Sequence, residues 1–115
     1  CHYRHYAHDD PFYLPGLQDI TSHVDFSAIA QIASENSLQL VGYTNQAHFL
    51  INCGITELLS NVPASDTLRY LPLANQLQRL VSPAEMGELF KVIALGKQLN
   101  ETPIGFARSN LIHLL

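Results

Sequence analysis

The first ten residues hold the densest group of side chains that could do chemistry. His2, His5, His8, Asp9 and Asp10 follow the spacing H-x-x-H-x-x-H-D-D. Imidazole and carboxylate groups can ligate zinc or iron, or hold a cationic substrate and move protons. At this spacing the three histidines do not share one face of a helix, and they do not share one face of a strand. A metal site, a polar loop that faces a substrate and a loop of hydrogen-bonded histidines are therefore open alternatives.

A second group lies just downstream, at Asp19, His23 and Asp25. Asp19 and His23 are close enough in sequence for one to orient the other, as general-base chemistry requires. Asp25 can equally be the N-cap of a helix. No serine or cysteine has the flanking glycines of a nucleophile elbow, so the sequence does not support a hydrolase triad.

A third group follows a strand and opens a helix, in the run Thr44-Asn45-Gln46-Ala47-His48. The carboxyl ends of strands face the ligand crevice in open α/β sheets, so Gln46 or His48 could contact a ligand. The simpler interpretation is that Thr44 or Asn45 is a helix N-cap.

Predicted strands alternate with predicted helices along the chain, which favours an α/β layered fold, with a small α+β domain as the alternative. We divide residues 1–115 into a polar His/Asp-rich loop region (1–23), a helix-strand-helix-helix-strand region (24–96) and a tail (97–115). The apolar run Leu89–Leu95 is typical of a strand buried on both faces. The remaining predicted elements are strands at Cys1–Tyr6 and Leu38–Tyr43, helices at 25–35, Gln46–Leu59, Asp66–Val81 (kinked or divided at Pro72) and Phe106–Leu115, and a single turn from Ser82 to Gly87.

The composition excludes several classes of protein. The net charge is −4, 47% of the residues are hydrophobic and 14% are charged, against a usual charged fraction of ~25%. A disordered chain and a nucleic-acid module are both disfavoured. No apolar run reaches the ~18 residues of a membrane helix. The low charge predicts a surface that more protein covers, and a homodimer is one way to cover it.

Two cysteines cannot form a disulfide framework, which indicates a reducing, intracellular compartment. Cys53 lies in an apolar stretch and is predicted to be a buried thiol, whereas Cys1 has no C-x-x-C partner.

Several separated motifs together resemble one known family. They are His5-Tyr6-Ala7-His8-Asp9-Asp10-Pro11-Phe12, Pro15–Thr21, His23–Phe26, Gly42–Gln46 and Met86–Val92. In this order they resemble the C-terminal half of MidA-like methyltransferases that depend on S-adenosyl-L-methionine (SAM). The resemblance runs from Cys1 to about Phe106, and departs at Leu89, where the family often has arginine.

The resemblance implies a class I methyltransferase (Rossmann-like) fold, of which this chain is expected to be the C-terminal part. Leu38–Tyr43 and Leu89–Leu95 would be the antiparallel end of its seven-stranded sheet. The main site for the SAM cofactor is expected in an N-terminal part, in agreement with six glycines that form no G-x-G. The chain alone is therefore expected to be inactive.

The family also implies a substrate. Its members include the mitochondrial complex I assembly factor, which methylates an arginine of a complex I subunit. We therefore expect a protein substrate, and a cytoplasmic location, or a mitochondrial one in a eukaryote.

We assign roles on this basis as hypotheses. Catalytic roles are assigned to His8, Asp9, Asp10 and His23, and substrate binding to His5, Asp19 and Gln46, with no metal ligands. The alternative function is a non-catalytic protein-interaction domain that uses its apolar surface to bind a partner.

Overall fold

The chain contains both short strands and helices, in agreement with the predicted α/β class. The structure is a computed structural model that describes residues 1–115. Its strands form two separate sheets of two strands each. The elements are β1 (His2–Tyr3), β2 (Tyr6–Ala7), α1 (Phe26–Glu35), β3 (Gln39–Asn45), α2 (Gln46–Asn52), α3 (Ile55–Ser60), α4 (Thr67–Val81) and β4 (Lys91–Gly96), with 3₁₀ turns at Ile104–Phe106 and Ile112–Leu114.

The pair β3–β4 is the centre of the structure. The strands are antiparallel, from Gln39 opposite Gly96 to Asn45 opposite Lys91, with a register shift between Leu40 and Gly42. Both strands were predicted, each one or two residues too early. The prediction that the second is buried on both faces is wrong within this chain, because every residue of β4 except Gly96 is half-buried or exposed.

The other edge of β3 is covered by the end of the chain. Asn110 accepts a hydrogen bond from the Tyr43 N–H through its side-chain oxygen (3.1 Å), and the Leu111 N–H donates to the Tyr43 carbonyl (2.7 Å). The predicted helix Phe106–Leu115 is therefore wrong, because Asn110 and Leu111 bond to β3 and only a 3₁₀ turn forms beyond them, at Ile112–Leu114.

Helix α1 forms as its pattern predicts. The Asp25 carboxylate accepts a hydrogen bond from the Ala28 N–H (3.0 Å) and so caps the first turn. Ala33 is buried and Phe26 is half-buried, and the helix packs on β3.

The predicted helix Gln46–Leu59 is two helices, α2 and α3. Asn45 caps α2 by accepting from the His48 N–H (2.9 Å). Gly54 has φ +87, a left-handed conformation that a helix cannot include and that glycine adopts at no steric cost. Cys53, at this break, is exposed, so the prediction of a buried thiol is wrong.

Helix α4 extends to Val81 and includes Pro72 without a division. The turn predicted after it is present, since the Gly87 N–H donates to the Ser82 carbonyl (2.9 Å). Gly87 is buried, and a Cβ there would overlap the Val81 carbonyl. The Gly87 carbonyl accepts from the Ala47 N–H (3.0 Å), which ties this turn to the start of α2.

The molecule is open and flat. Its extents are 52 × 47 × 21 Å and its radius of gyration is 18.2 Å, against about 13 Å for a compact domain of this length. Its accessible surface of 8695 Å² exceeds the value for a compact protein of this mass by about 2,400 Å². Only ten residues are buried, so the elements do not enclose a large core. No helix is long and apolar enough to cross a membrane.

Replacing Gly87 by alanine should destabilise the fold by about 1–3 kcal/mol, because the added methyl group has to displace backbone rather than a flexible side chain. Urea unfolding followed by circular dichroism measures the change. Glu85→Ala, an exposed position in the same turn, is the control and should stay within about 0.5 kcal/mol of the parent chain. Equal stability of the two variants would contradict the packing at Gly87.

Candidate functional site

The N-terminal residues form a closed loop rather than one extended strand. β1 and β2 make a short hairpin in which His2 lies opposite Ala7. The His2 N–H donates to the Asp19 carbonyl (2.8 Å), and the Asp19 N–H donates to the His2 carbonyl (2.9 Å). These bonds join the two ends of residues 8–18, which we call the acidic loop because it holds Asp9 and Asp10.

His8 is packed inside the acidic loop. Its ring stacks on Tyr6 (centroids 5.5 Å apart) and meets Tyr13 edge-on (5.0 Å). Its Nδ1 accepts a hydrogen bond from the Asp10 N–H (3.2 Å), which assigns the proton of the neutral ring to Nε2. Nε2 is buried and has no partner within the chain. The ring's one lone pair is thus already used by the backbone.

Asp10 shapes the acidic loop through its backbone N–H, its carbonyl and its carboxylate. Its carboxylate accepts from the Phe12 N–H (2.9 Å), a turn that Asp and Asn form readily. The Gln18 amide donates to the Asp10 carbonyl (3.3 Å) and to the Pro11 carbonyl (2.9 Å). The sequence interpretation missed Gln18, although it lies in the motif Pro15–Thr21. Gln18 therefore positions the loop.

The other predicted groups of this region are on the surface. Asp9 is exposed, and its carboxylate makes no hydrogen bond within the chain. His5 is exposed beside the turn between β1 and β2. Asp19 uses its backbone to close the loop, and its exposed carboxylate makes no bond to His23, so the predicted orienting pair does not form. Asp9 is thus the unengaged carboxylate of the acidic loop.

A cleft of about 650 Å³ lies where β3 ends and β4 begins, and we call it the aromatic cleft. Phe26 and Tyr43 form its floor, with ring centroids 5.3 Å apart. Leu89 and Phe90 line its side and are exposed. Its volume is typical of ligand sites, and it lies at the carboxyl end of β3 and the amino end of the antiparallel β4.

The aromatic cleft contains one residue from the predicted set, His23, which lies in its wall with Thr21, Ser22 and Lys91. Tyr43 and Lys91 were not among the residues predicted from the sequence. Their signal was the occurrence of both in family motifs on paired strands. His23 therefore belongs to a different feature of the molecule from His8 and Asp10.

Gln46 lies in neither feature. Its side-chain amide donates to the Leu80 carbonyl (2.9 Å) and its N–H donates to the Phe90 carbonyl (2.9 Å). Gln46 thus joins the start of α2 to α4 and to the residue before β4. Its predicted contact with substrate stays a prediction.

The described residues do not by themselves fit a SAM site. The turn from β3 into α2 passes through Asn45 and Gln46 without a glycine, whereas nucleotide-type cofactors need a glycine-rich approach at such a turn. No three His, Cys, Asp or Glu side chains are grouped to hold a metal ion.

Comparisons with known proteins identify the family. A family model described as "Putative S-adenosyl-L-methionine-dependent methyltransferase" matches residues 1–44. The protein arginine methyltransferase NDUFAF7, mitochondrial, is 33% identical over 82 residues in Danio rerio and 34% identical over 95 residues in Rattus norvegicus. These alignments cover 70% and 81% of this chain, but 19% and 21% of the relatives.

Two solved structures from Burkholderia thailandensis match almost the whole chain. One is a native structure of an uncharacterized protein (TM-score 0.92), and the other is bound to S-adenosyl-homocysteine (TM-score 0.90). Both are 53% identical to this chain and cover 99% of it, and the chain covers 30% of each. The chain thus spans about a fifth of the curated relatives and under a third of the solved structures. It belongs to the MidA-like family of SAM-dependent methyltransferases.

Proposed function

We propose that this chain is the C-terminal part of a SAM-dependent methyltransferase that methylates arginine side chains of a protein substrate. The observation that carries the proposal is the likeness, at 53% identity over 99% of the chain, to a structure bound to S-adenosyl-homocysteine. Two of its relatives are protein arginine methyltransferases, which supports arginine as the methylated residue.

The fold supports the assignment to one end of a larger Rossmann-like sheet. β4 has β3 on one edge and no strand on the other, so it can accept a further strand there. The excess accessible surface of about 2,400 Å² is of the order that docking onto a larger domain would remove. The alternative function, a protein-interaction domain, needs the same surface to be covered by a separate partner.

The substrate side of the reaction requires carboxylates. A guanidinium group presents a planar fork of N–H donors, which a carboxylate holds with charge-assisted hydrogen bonds. We assign this role first to Asp9, whose carboxylate makes no hydrogen bond within the chain. Asp10 contributes the oxygen that the turn leaves free, and Asp19 and His5 bind the substrate around them.

The methylated nitrogen must also lose a proton. His8 and His23 are the proposed acceptors. His23 is exposed, whereas His8 would have to release the Asp10 N–H before its Nδ1 could take a proton. His23 is therefore the easier acceptor, and His8 acts first by holding the shape of the acidic loop.

SAM supplies the methyl group, and we place its main site in a part of the parent protein outside these residues. The chain by itself is then inactive. The proposed partner is a protein substrate, a respiratory complex I subunit where the source is a eukaryote. The compartment is the mitochondrion in that case and the cytoplasm in a bacterium.

Asp9→Asn in the full-length parent should lower kcat/KM for an arginine-containing protein substrate roughly 10- to 100-fold at saturating SAM, the value of one charge-assisted hydrogen bond. Asp10→Asn keeps the turn to Phe12, since an amide oxygen can accept the same bond, and should have a smaller effect. Initial rates of transfer of radiolabelled methyl groups measure both. Glu101→Gln, exposed in the tail, is the charge-matched control.

Unchanged rates in both aspartate variants would remove the acidic loop from the substrate site. No methyl transfer from SAM by the full-length parent, on any arginine-containing protein tested, would remove the proposed function itself.

Asp10→Ala should speed hydrogen exchange of the Phe12 amide about 2- to 13-fold, which corresponds to losing a hydrogen bond of roughly 0.5–1.5 kcal/mol. Exchange followed by nuclear magnetic resonance on the chain measures this directly. Asp9→Ala is the matched control, because the Asp9 carboxylate bonds to no amide. Equal protection of Phe12 in both variants would show that Asp10 does not shape the loop.

A further inference from the structure

The aromatic cleft carries positive charge and no carboxylate. Of its lining residues, Lys91 is a cation and His23 is a hydrogen-bonding imidazole, and none is acidic. The nearest acidic residues in sequence are Asp25 and Glu88. The Asp25 carboxylate is engaged at the Ala28 N–H, inside the first turn of α1. This charge is opposite to that of the acidic loop and to the net charge of −4 of the whole chain.

The Lys91 ammonium is held in place. Its Nζ donates to the Glu88 carbonyl at 2.6 Å, which leaves two further N–H donors for a ligand. The hydroxyls of Thr21 and Ser22, in the wall of the cleft, are additional donors.

The floor and rim of the cleft are apolar. Tyr43 is buried beside Phe26, whereas Val24, Leu89 and Phe90 are 56%, 70% and 47% exposed. An exposed apolar rim around an aromatic floor favours an aliphatic or aromatic side chain as occupant. The volume of about 650 Å³ suits a few peptide side chains.

We propose that the aromatic cleft binds an acidic segment of the protein substrate, one that carries a glutamate or aspartate next to an aromatic or aliphatic side chain. The carboxylate lies against Lys91, Thr21 and Ser22, and the apolar side chain packs on the Phe26–Tyr43 floor. The proposal rests on the proposed function and deepens it. The guanidinium group is held by the acidic loop and the acidic segment by the cleft, so opposite charges on the substrate fix its direction.

The test uses the whole chain and three probes, which are a labelled arginine-containing peptide with a Glu-Phe-Glu flank, the same peptide with Gln-Phe-Gln, and S-adenosyl-homocysteine. Fluorescence anisotropy should show the acidic peptide binding about three- to tenfold more tightly than its neutral counterpart, as one exposed charge contact allows. Amide resonances of His23 and Lys91 should shift on binding.

Lys91→Gln should abolish the preference for the acidic peptide. Lys97→Gln is the matched control, since Lys97 is an exposed lysine just beyond the other end of β4 and should leave the preference intact. Equal binding of both peptides, shifts confined to other residues, or displacement of the peptide by S-adenosyl-homocysteine would overturn the proposal.

Kinetics of the full-length parent separate this inference from the proposed function. Lys91→Gln should raise KM for the acidic peptide several-fold and leave kcat unchanged. Methyl transfer with no dependence of KM on Lys91 would overturn the cleft assignment alone. Absence of any methyl transfer would overturn the proposed function, and the binding experiment on the chain would still decide whether the cleft takes an acidic segment.

Discussion

The antiparallel pairing of β3 with β4 is the constraint on which the rest of the structure depends. The end of β3 caps α2 through Asn45, and the residues just before β4 accept the first N–H groups of that helix at Gly87 and Phe90. Asn110 fastens the end of the chain to the opposite edge of β3. Because Asn45 pairs with Lys91, the same register brings Lys91 beside Tyr43 and so forms the aromatic cleft. One strand pair therefore sets both the packing and the site.

The elements that the sequence predicted well are those whose signals are local. Asp25 before an apolar helical pattern gave α1, and the apolar run before Asn45 gave β3. The errors have non-local causes. The tail is not a helix because Asn110 and Leu111 bond to β3, some seventy residues away in sequence. The break at Gly54 could have been predicted from the sequence, since glycine inside a helical pattern often marks a boundary.

The residue types of the candidate site could be predicted from the sequence. Their division between the acidic loop and the aromatic cleft could not. The histidines and aspartates of the N-terminal segment are conspicuous in sequence, yet sequence cannot distinguish Asp9, which is unengaged, from Asp10, which shapes the turn to Phe12. His23 was grouped with Asp19 because they are near in sequence. In the structure it lines the same cleft as Lys91, the first residue of β4. Spacing indicates which chemistry is available, while tertiary contacts decide which groups share a site.

The openness of the molecule links its energetics to its function. A chain with so few buried residues gains little from its own core, so further burial has to come from contact with more protein. The unpaired edge of β4 and the apolar helices suit a larger domain, whereas the charged and exposed features, the acidic loop and Lys91, suit a substrate that changes with each turnover. Stable contacts favour apolar, geometrically fixed surfaces, and reversible recognition favours complementary charge. We assign the edge of β4 to the parent domain because it offers unpaired backbone groups, and we assign the acidic loop and Lys91 to the substrate because they offer exposed charge.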